Sequence, residues 1–205
     1  MVNAYLVGHP RSGNHYVVHL LELNFKGKYT KKFGHYGSMP INKKQIPNYK
    51  FIYLYRNFDA VSKSIFRLKG RHGVPEDLSF KDFIDKPAKD WFVKGGNNAV
   101  TRTKLFDNGR LQTKKEGGRT TPVGPLSMRL EDFHKASLKN WFEYSKKYDN
   151  IHLLKYEDLM NDFDNTMDNL SIFLFGKTFA PYKNVVKKVG ISNPNDKKIH
   201  HGVKK

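Results

Sequence analysis

Short apolar runs alternate with longer segments of helical periodicity along the chain. Three runs have the β-branched and aromatic composition of buried strands: residues 4–7, 51–55 and 151–154. Each is followed by apolar residues at helical spacing, over about 14–25, 59–68 and 163–174. Strands that alternate with helices through short connections predict an α/β fold, a three-layer α/β/α domain with a central parallel sheet.

The remaining segments are weaker in pattern. Residues 26–49 are polar and turn-rich, and residues 70–90 contain short helical pieces. An amphipathic helix is predicted from about Leu130 to Tyr148, whereas residues 94–128 are rich in glycine, threonine and basic residues. We expect one domain over residues 1–205, with 94–128 as an excursion without regular structure, either flexible or on the acceptor side of the site.

Composition excludes several classes of protein. The 205 residues include no cysteine, which rules out disulfides, thiolate zinc sites and a cysteine nucleophile. No signal peptide and no membrane-spanning run is apparent, so a cytoplasmic location is expected. The formal net charge of +18 favours anionic partners. Because the basic residues are scattered and no nucleic-acid-binding signature accompanies them, nucleic acid is not the expected partner.

The segment from Leu6 to Tyr16 carries the strongest chemical signal. A strand enters a turn with Gly8 and Gly13 five residues apart, and a helix begins directly afterwards. Backbone N–H groups and the positive end of a helix bind phosphate or sulfate in this arrangement. Asn14 and His15 stand where a nucleoside-triphosphate loop has Lys and Ser/Thr. The loop is therefore predicted to bind an anion without magnesium, and an ordinary strand-to-helix turn is the alternative.

A second strand–loop–helix unit follows the run at 51–55. Arg56 stands where the strand ends, and Ser64 lies about a turn and a half into the next helix, for which Asp59 is the expected N-cap. The arginine fork and the hydroxyl can meet the same anion. The alternative is a local Arg56–Asp59 salt bridge with Ser64 facing solvent.

Together these units resemble the PAPS-dependent sulfotransferases. Residues 10–14, Pro-Arg-Ser-Gly-Asn, are similar to that family's 5′-phosphosulfate loop, and Arg56-Asn57 with Ser64 is similar to its 3′-phosphate element. Residues 155–159, Lys-Tyr-Glu-Asp-Leu, resemble its strand-end segment, which follows a helix containing Trp141.

The resemblance implies a P-loop-like sulfotransferase fold with 3′-phosphoadenosine 5′-phosphosulfate (PAPS) bound across the carboxyl ends of the strands and no metal. It implies that the 5′ group is held by the residues Arg11, Ser12, Gly13, Asn14 and His15. Arg56 and Ser64 would hold the 3′-phosphate, and Tyr16 and Tyr156 would contact the adenine region. Arg11 would also stabilise the charge of the leaving phosphate.

The resemblance also proposes a general base. His35, in a glycine-flanked loop, stands at the family's interval before Arg56, and a histidine pKa suits proton transfer near neutral pH. His9, His15 and Glu22 are alternatives. The family's C-terminal Arg-Lys-Gly segment has no clear copy, and residues 197–202 are its nearest counterpart.

The function predicted is sulfuryl transfer from PAPS, leaving 3′,5′-ADP, to a hydroxyl or amine of an acceptor such as a glycan, an anionic molecule or a small alcohol. Two other classes remain open. One is a nucleotide kinase with a degenerate phosphate loop, and the other is a non-catalytic basic protein that binds nucleic acid.

Overall fold

The computed structural model describes residues 1–9, 11–34, 48–67, 74–87, 90, 102–105, 111–114 and 128–185, and the structural statements below concern these residues. Its strands are β1 (Val2–Gly8), β2 (Tyr29–Gly34), β3 (Lys50–Tyr55), β4 (Arg102–Leu105), β5 (Leu111–Lys114) and β6 (Ile151–Lys155). Its helices are α1 (Asn14–Phe25), α2 (Phe58–Phe66), α3 (Phe80–Asp85), α4 (Leu130–Lys147), α5 (Tyr156–Asn161) and α6 (Phe163–Phe175).

Four parallel strands form the central sheet in the order β2-β1-β3-β6. Leu6 is in register with Ile52, and Tyr53 is in register with Leu153. The predicted parallel α/β architecture is confirmed. The chain passes from β1 to β2 on one side and then crosses to β3 on the other. This reversal creates a switch point beyond Gly8 and Tyr55, where parallel sheets commonly bind ligands.

Alternate residues of the strands bury opposite faces of the sheet. One face, with Leu6, Ile52 and Leu54, packs against the apolar sides of α1, α5 and α6. The other face, with Phe51 and Tyr53, packs against α4. Both faces of the central strands are therefore covered, which explains why β1 and β3 read as nearly continuous apolar runs.

Trp141 anchors α4 to the sheet. Its side chain is fully buried and stacks on Tyr53, with ring centroids 4.7 Å apart and planes 10° from parallel. A smaller apolar cluster joins α2, α3 and α4 through Val61, Phe83 and Leu130. These contacts fix the helices that follow β3 and precede β6, and both elements lead into the carboxyl edge of the sheet.

Three local predictions were wrong. Residues 29–34 form strand β2 within the segment read as turns. Among the described strands β2 pairs only with β1, and it tolerates a polar sequence because it is at the edge of that sheet. Within 94–128, β4 and β5 pair antiparallel, so that excursion contains regular structure. The cap of α2 is Asn57, not Asp59: the Asn57 side chain accepts a hydrogen bond from the Asp59 N–H at 2.8 Å.

None of the helices within the described ranges is both long enough and apolar enough to cross a membrane.

Candidate functional site

The loop between β1 and α1 is tightly folded. Arg11 and Gly13 both have positive φ angles, 68° and 99°. The His9 carbonyl accepts two hydrogen bonds, from the Ser12 N–H at 3.2 Å and from the Asn14 side-chain amide at 3.0 Å. These bonds turn the chain back on itself. The first-turn N–H groups of α1, which have no partner within the helix, therefore lie at the carboxyl edge of the sheet.

Two glycines permit close approaches in this loop. A Cβ at Gly8 would overlap the Asn14 side chain and lie 2.7 Å from the Leu54 carbonyl oxygen. A Cβ at Gly13 would lie 2.5 Å from Cε2 of Tyr156. Backbone thus packs directly against neighbouring groups at both positions. From the sequence, the spacing of these two glycines indicates an anion-binding loop. In the structure, each glycine stands where a side chain would collide with a neighbouring group.

The second loop meets the first through a side-chain hydrogen bond. The Arg11 Nε donates to the Ser64 hydroxyl on α2 at 3.1 Å. Asp59 forms a salt bridge with Lys63 at 2.8 Å. The alternative interpretation, a local salt bridge between Arg56 and Asp59, therefore does not describe this helix. Arg56 and Ser64, eight residues apart in sequence, both lie beside the β1–α1 loop.

Two guanidinium groups of like charge converge here. The pKa of Arg11 is lowered, first by partial burial of its guanidinium and then by the positive charge of Arg56. Such a shift leaves an arginine charged at neutral pH. The cleft between the two loops is therefore positive, and an anion placed in it would relieve the repulsion between Arg11 and Arg56.

Tyr156, the first residue of α5, lies between the two loops. Its ring packs against Gly13, and the Arg56 guanidinium carbon lies 4.4 Å from the ring centroid. Tyr16 meets Tyr156 edge-on, with centroids 5.8 Å apart, and donates its hydroxyl to Asn184 Oδ1 at 2.7 Å. Burial, with a contribution from Tyr156, raises the pKa of Tyr16 to about 12, against the opposing effect of Asn184. The two rings thus form a small aromatic cluster beside the loop after β1.

Buried polar atoms beside this cleft that have no hydrogen-bond partner within the described residues include the hydroxyl oxygen of Ser12, Nε of Arg56 and Oε2 of Glu157. Buried hydrogen-bonding groups are nearly always paired in folded proteins. The Ser12 hydroxyl and the Arg56 Nε are donors without a partner, and they fit a ligand that is rich in acceptor oxygens.

The described structure brings together most of the site residues predicted from sequence: Arg11, Ser12, Gly13, Asn14, Tyr16, Arg56, Ser64 and Tyr156. His15 lies half-buried in the first turn of α1. His35 and residues 197–202 lie outside the described residues. Glu22 is far along α1 and interacts with Tyr29, at the amino end of β2. His9 is fully buried, with its ring against Phe133 and His134.

Sequence reasoning missed two residues that contact the second loop. His134 on α4 places Nε2 3.0 Å from the Arg56 carbonyl oxygen, and Glu157 on α5 accepts a hydrogen bond from the Asn57 N–H at 3.0 Å. His134 precedes Trp141 by seven residues and so shares its buried helix face, a signal that marks it as inward-facing. Glu157 was visible only as a member of the Lys-Tyr-Glu-Asp-Leu segment.

The fold and the site define a class of protein. A parallel sheet whose switch point carries two strand–loop–helix units belongs to the α/β proteins that commonly bind ligands at this edge of the sheet. The family model for the sulfotransferase domain matches residues 33–198, which is most of the chain. The chain therefore belongs to the sulfotransferase domain family, whose chemistry is sulfuryl transfer. The matched region begins after the loop at residues 8–16.

A solved structure shares the fold. The chain is similar to the mouse sulfotransferase SULT7A1 complexed with PAP, with a TM-score of 0.58 and 16% sequence identity. The alignment covers 87% of this chain and 60% of the SULT7A1 chain. A search of curated proteins gave no match. At this identity the likeness establishes the architecture.

Proposed function

We propose that the chain is a PAPS-dependent sulfotransferase that transfers a sulfuryl group to a hydroxyl or amine of an acceptor. The observation that carries the proposal is the convergence of Arg11 and Arg56 on one cleft, with Ser64 hydrogen-bonded to Arg11. PAPS carries anionic groups at both its 5′ and 3′ positions, and the cleft offers one arginine for each. A single domain over residues 1–205 would hold the whole site.

The 5′ phosphosulfate is assigned to the loop after β1. Arg11 supplies a positive charge, and the unpaired hydroxyl of Ser12 supplies a donor. Gly13, Asn14 and His15 would contribute backbone N–H groups at the start of α1. The glycine at position 13 lets the Tyr156 ring pack directly against this backbone.

The 3′-phosphate is assigned to Arg56 and Ser64. Arg56 keeps an unpaired Nε, and its guanidinium is already held against Tyr156, which lowers the cost of ordering it around a ligand. Tyr16 and Tyr156 provide the apolar ring surfaces for the adenine region. PAP, the ligand in the SULT7A1 structure, is the desulfated form expected to occupy both subsites.

The reaction proposed breaks the bond between sulfur and the bridging phosphate oxygen and forms one between sulfur and the acceptor oxygen or nitrogen. The bridging oxygen leaves with its electron pair on 3′,5′-ADP, where Arg11 stabilises the negative charge. His35, which lies outside the described residues, is the proposed base for the acceptor proton. Because arginines neutralise the charge, no metal is required. A glycan or a small alcohol is the proposed acceptor.

Nucleotide discrimination tests the proposal directly. Replacement of Arg56 by alanine should weaken 3′,5′-ADP binding by about 2 kcal/mol or more, because charge-assisted hydrogen bonds to the 3′-phosphate are lost. Binding of 5′-AMP, which has no 3′-phosphate, should change much less. Isothermal titration calorimetry measures both affinities, and Arg67→Ala, an exposed arginine at the end of the same helix, is the matched control.

Equal losses for the two nucleotides would show that Arg56 does not contact a 3′-phosphate. Two further results would favour the other classes of protein. Tighter binding of ATP with magnesium than of 3′,5′-ADP would indicate a kinase. Binding to nucleic acid that weakens steeply with salt, without preference for 3′-phosphorylated adenosine, would indicate a nucleic-acid-binding protein.

The proposed base has its own test. In a panel of hydroxyl and amine acceptors, His35→Ala should reduce turnover by about 10²–10⁴-fold, the usual contribution of a positioned general base. The melting temperature and the 3′,5′-ADP affinity should stay close to those of the wild type. Turnover within a few-fold of the wild type in a folded variant would remove this role from His35.

A further inference from the structure

One peptide unit at the end of β3 is held by side chains on both of its polar sides. The unit joins Arg56 to Asn57. Its carbonyl oxygen lies 3.0 Å from Nε2 of His134, and its N–H donates to Glu157 Oε1 at 3.0 Å. The two side chains come from opposite faces of the sheet, because α4 packs on the face of Tyr53 whereas α5 packs on the face of Leu54.

The chemistry of the peptide fixes the state of each side chain. A carbonyl oxygen only accepts, so Nε2 of His134 must carry the hydrogen. His134 is only 3% exposed, and its ring packs against His9 and Phe58 with centroids 5.1 and 5.5 Å away. Burial lowers its pKa, with the Arg56 carbonyl and the carboxylates of Glu131 and Glu157 opposing the shift. Glu157 acts as the acceptor on the other side.

This peptide unit connects the groups that the proposed site needs in fixed relation. The side chain of Arg56 leaves it on one side. On the other side, Asn57 caps α2 through its bond from the Asp59 N–H, and α2 carries Ser64 to the Arg11 side chain. A rotation of the unit would therefore move the arginine and the start of α2 together.

We propose that His134 and Glu157 are positioning residues that clamp the Arg56–Asn57 peptide unit, so that Arg56 and Ser64 keep the spacing required by a 3′-phosphate. This inference rests on the proposed function. It assigns to these two side chains a larger effect on the 3′ end of the nucleotide than on the 5′ end, because the backbone of the loop that would hold the 5′ group is folded by its own bonds to the His9 carbonyl. A purely structural role would instead weaken both ends alike.

The readout is the ratio of the dissociation constants for 5′-AMP and 3′,5′-ADP, measured by calorimetry on the full chain. His134→Leu and Glu157→Leu each remove one side of the clamp, and we expect each to lower the ratio about tenfold, the effect of losing one well-placed hydrogen bond to a buried group. His134→Gln and Glu157→Gln keep a donor near Nε2 and an acceptor at Oε1. These two variants should retain the wild-type ratio within about twofold.

Two controls separate positioning from stability. His152→Leu removes another histidine, half-buried on strand β6 with its ring stacked on Phe173 at 5.1 Å, and should leave the ratio unchanged. His134→Asn ends at the position of Nδ1 and cannot reach the carbonyl. If the leucine variants do not fold, the comparison of His134→Asn with His134→Gln still decides, because both are polar and only glutamine restores the bond.

The outcomes distinguish this inference from the function on which it rests. A wild-type protein that binds 3′,5′-ADP and 5′-AMP equally would overturn the proposed function, and the clamp's role with it. A wild-type protein that discriminates, with leucine or asparagine variants that keep the same ratio, would overturn the clamp alone. A lower ratio in those variants, restored by glutamine, would support it.

Discussion

Replacing Gly13 by alanine tests the geometry of the loop with a single methyl group. Gly13 has a φ of 99°, and left-handed backbone costs a non-glycine residue roughly 1–2 kcal/mol. The new Cβ would also lie 2.5 Å from Cε2 of Tyr156, whereas ordinary contacts begin at 3.4 Å, so the ring must retreat by about 1 Å. Overpacking of this kind costs roughly 1–3 kcal/mol. We expect the free energy of unfolding to fall by about 2–5 kcal/mol in total.

The chain contains matched controls for the backbone part of this cost. Gly27 and Gly176 have φ angles of 77° and 76°, and a Cβ at either would meet no atom within 4 Å. Their alanine variants should lose only about 1–2 kcal/mol. Urea unfolding followed by circular dichroism gives all three values. The difference between Gly13→Ala and the controls then measures the contact with Tyr156.

The same substitution should weaken 3′,5′-ADP binding, since a displaced Tyr156 no longer supports the Arg56 guanidinium. Equal destabilisation of the three alanine variants, within about 0.5 kcal/mol, would refute the close approach of Tyr156 to the loop. Unchanged nucleotide affinity in a destabilised Gly13→Ala protein would refute the link between that approach and the site.

Two further predictions concern the body of the fold. Trp141→Ala should reduce the free energy of unfolding by about 3–5 kcal/mol because it removes the ring that stacks on Tyr53 and leaves a cavity. Trp141→Phe should lose clearly less stability, and equal losses for the two variants in urea titrations would contradict this. Burial lowers the pKa values of His134 and His152 below that of the unfolded chain. The unfolded chain therefore binds protons first, and stability should decline as the pH falls below about 6.5. His152→Leu should have a shallower decline, and an unchanged slope would contradict the assignment of part of this effect to His152.

Sequence alone predicted the centre of the fold better than its edges. The runs at 51–55 and 151–154 lie in strands buried on both faces, where packing demands the continuous apolar pattern that makes them recognisable. Strand β2 was not predicted because an edge strand has one neighbouring strand, so packing constrains its sequence less. The pairing of β4 with β5 was not predicted either, because this segment lacks the alternation of apolar and polar residues that indicates a strand.

The residues of the candidate site also differ in whether the sequence could predict them. Arg11, Gly13 and Arg56 were predicted because each belongs to a short motif with a local steric or charge signature. His134 and Glu157 act across 78 and 100 residues of sequence on a single peptide unit. Helical periodicity marks His134 as inward-facing, but no pattern in the sequence identifies the peptide unit that it contacts. The N-cap was placed two residues late for a simpler reason, since Asn57 and Asp59 are equally good capping residues and the backbone decides between them.

The central position of β1 has a consequence for how the protein is made. Strand β1 leaves the ribosome before β2 and β3, which flank it in the sheet, and strand β6 and the ring of Tyr156 follow only after residue 150. Long chain closures of this kind are entropically costly and slow. A nascent chain that ends before β6 has both arginines but lacks Tyr156 and Glu157 to order them. Affinity for the nucleotide should therefore arise late in synthesis, as a property of the finished topology.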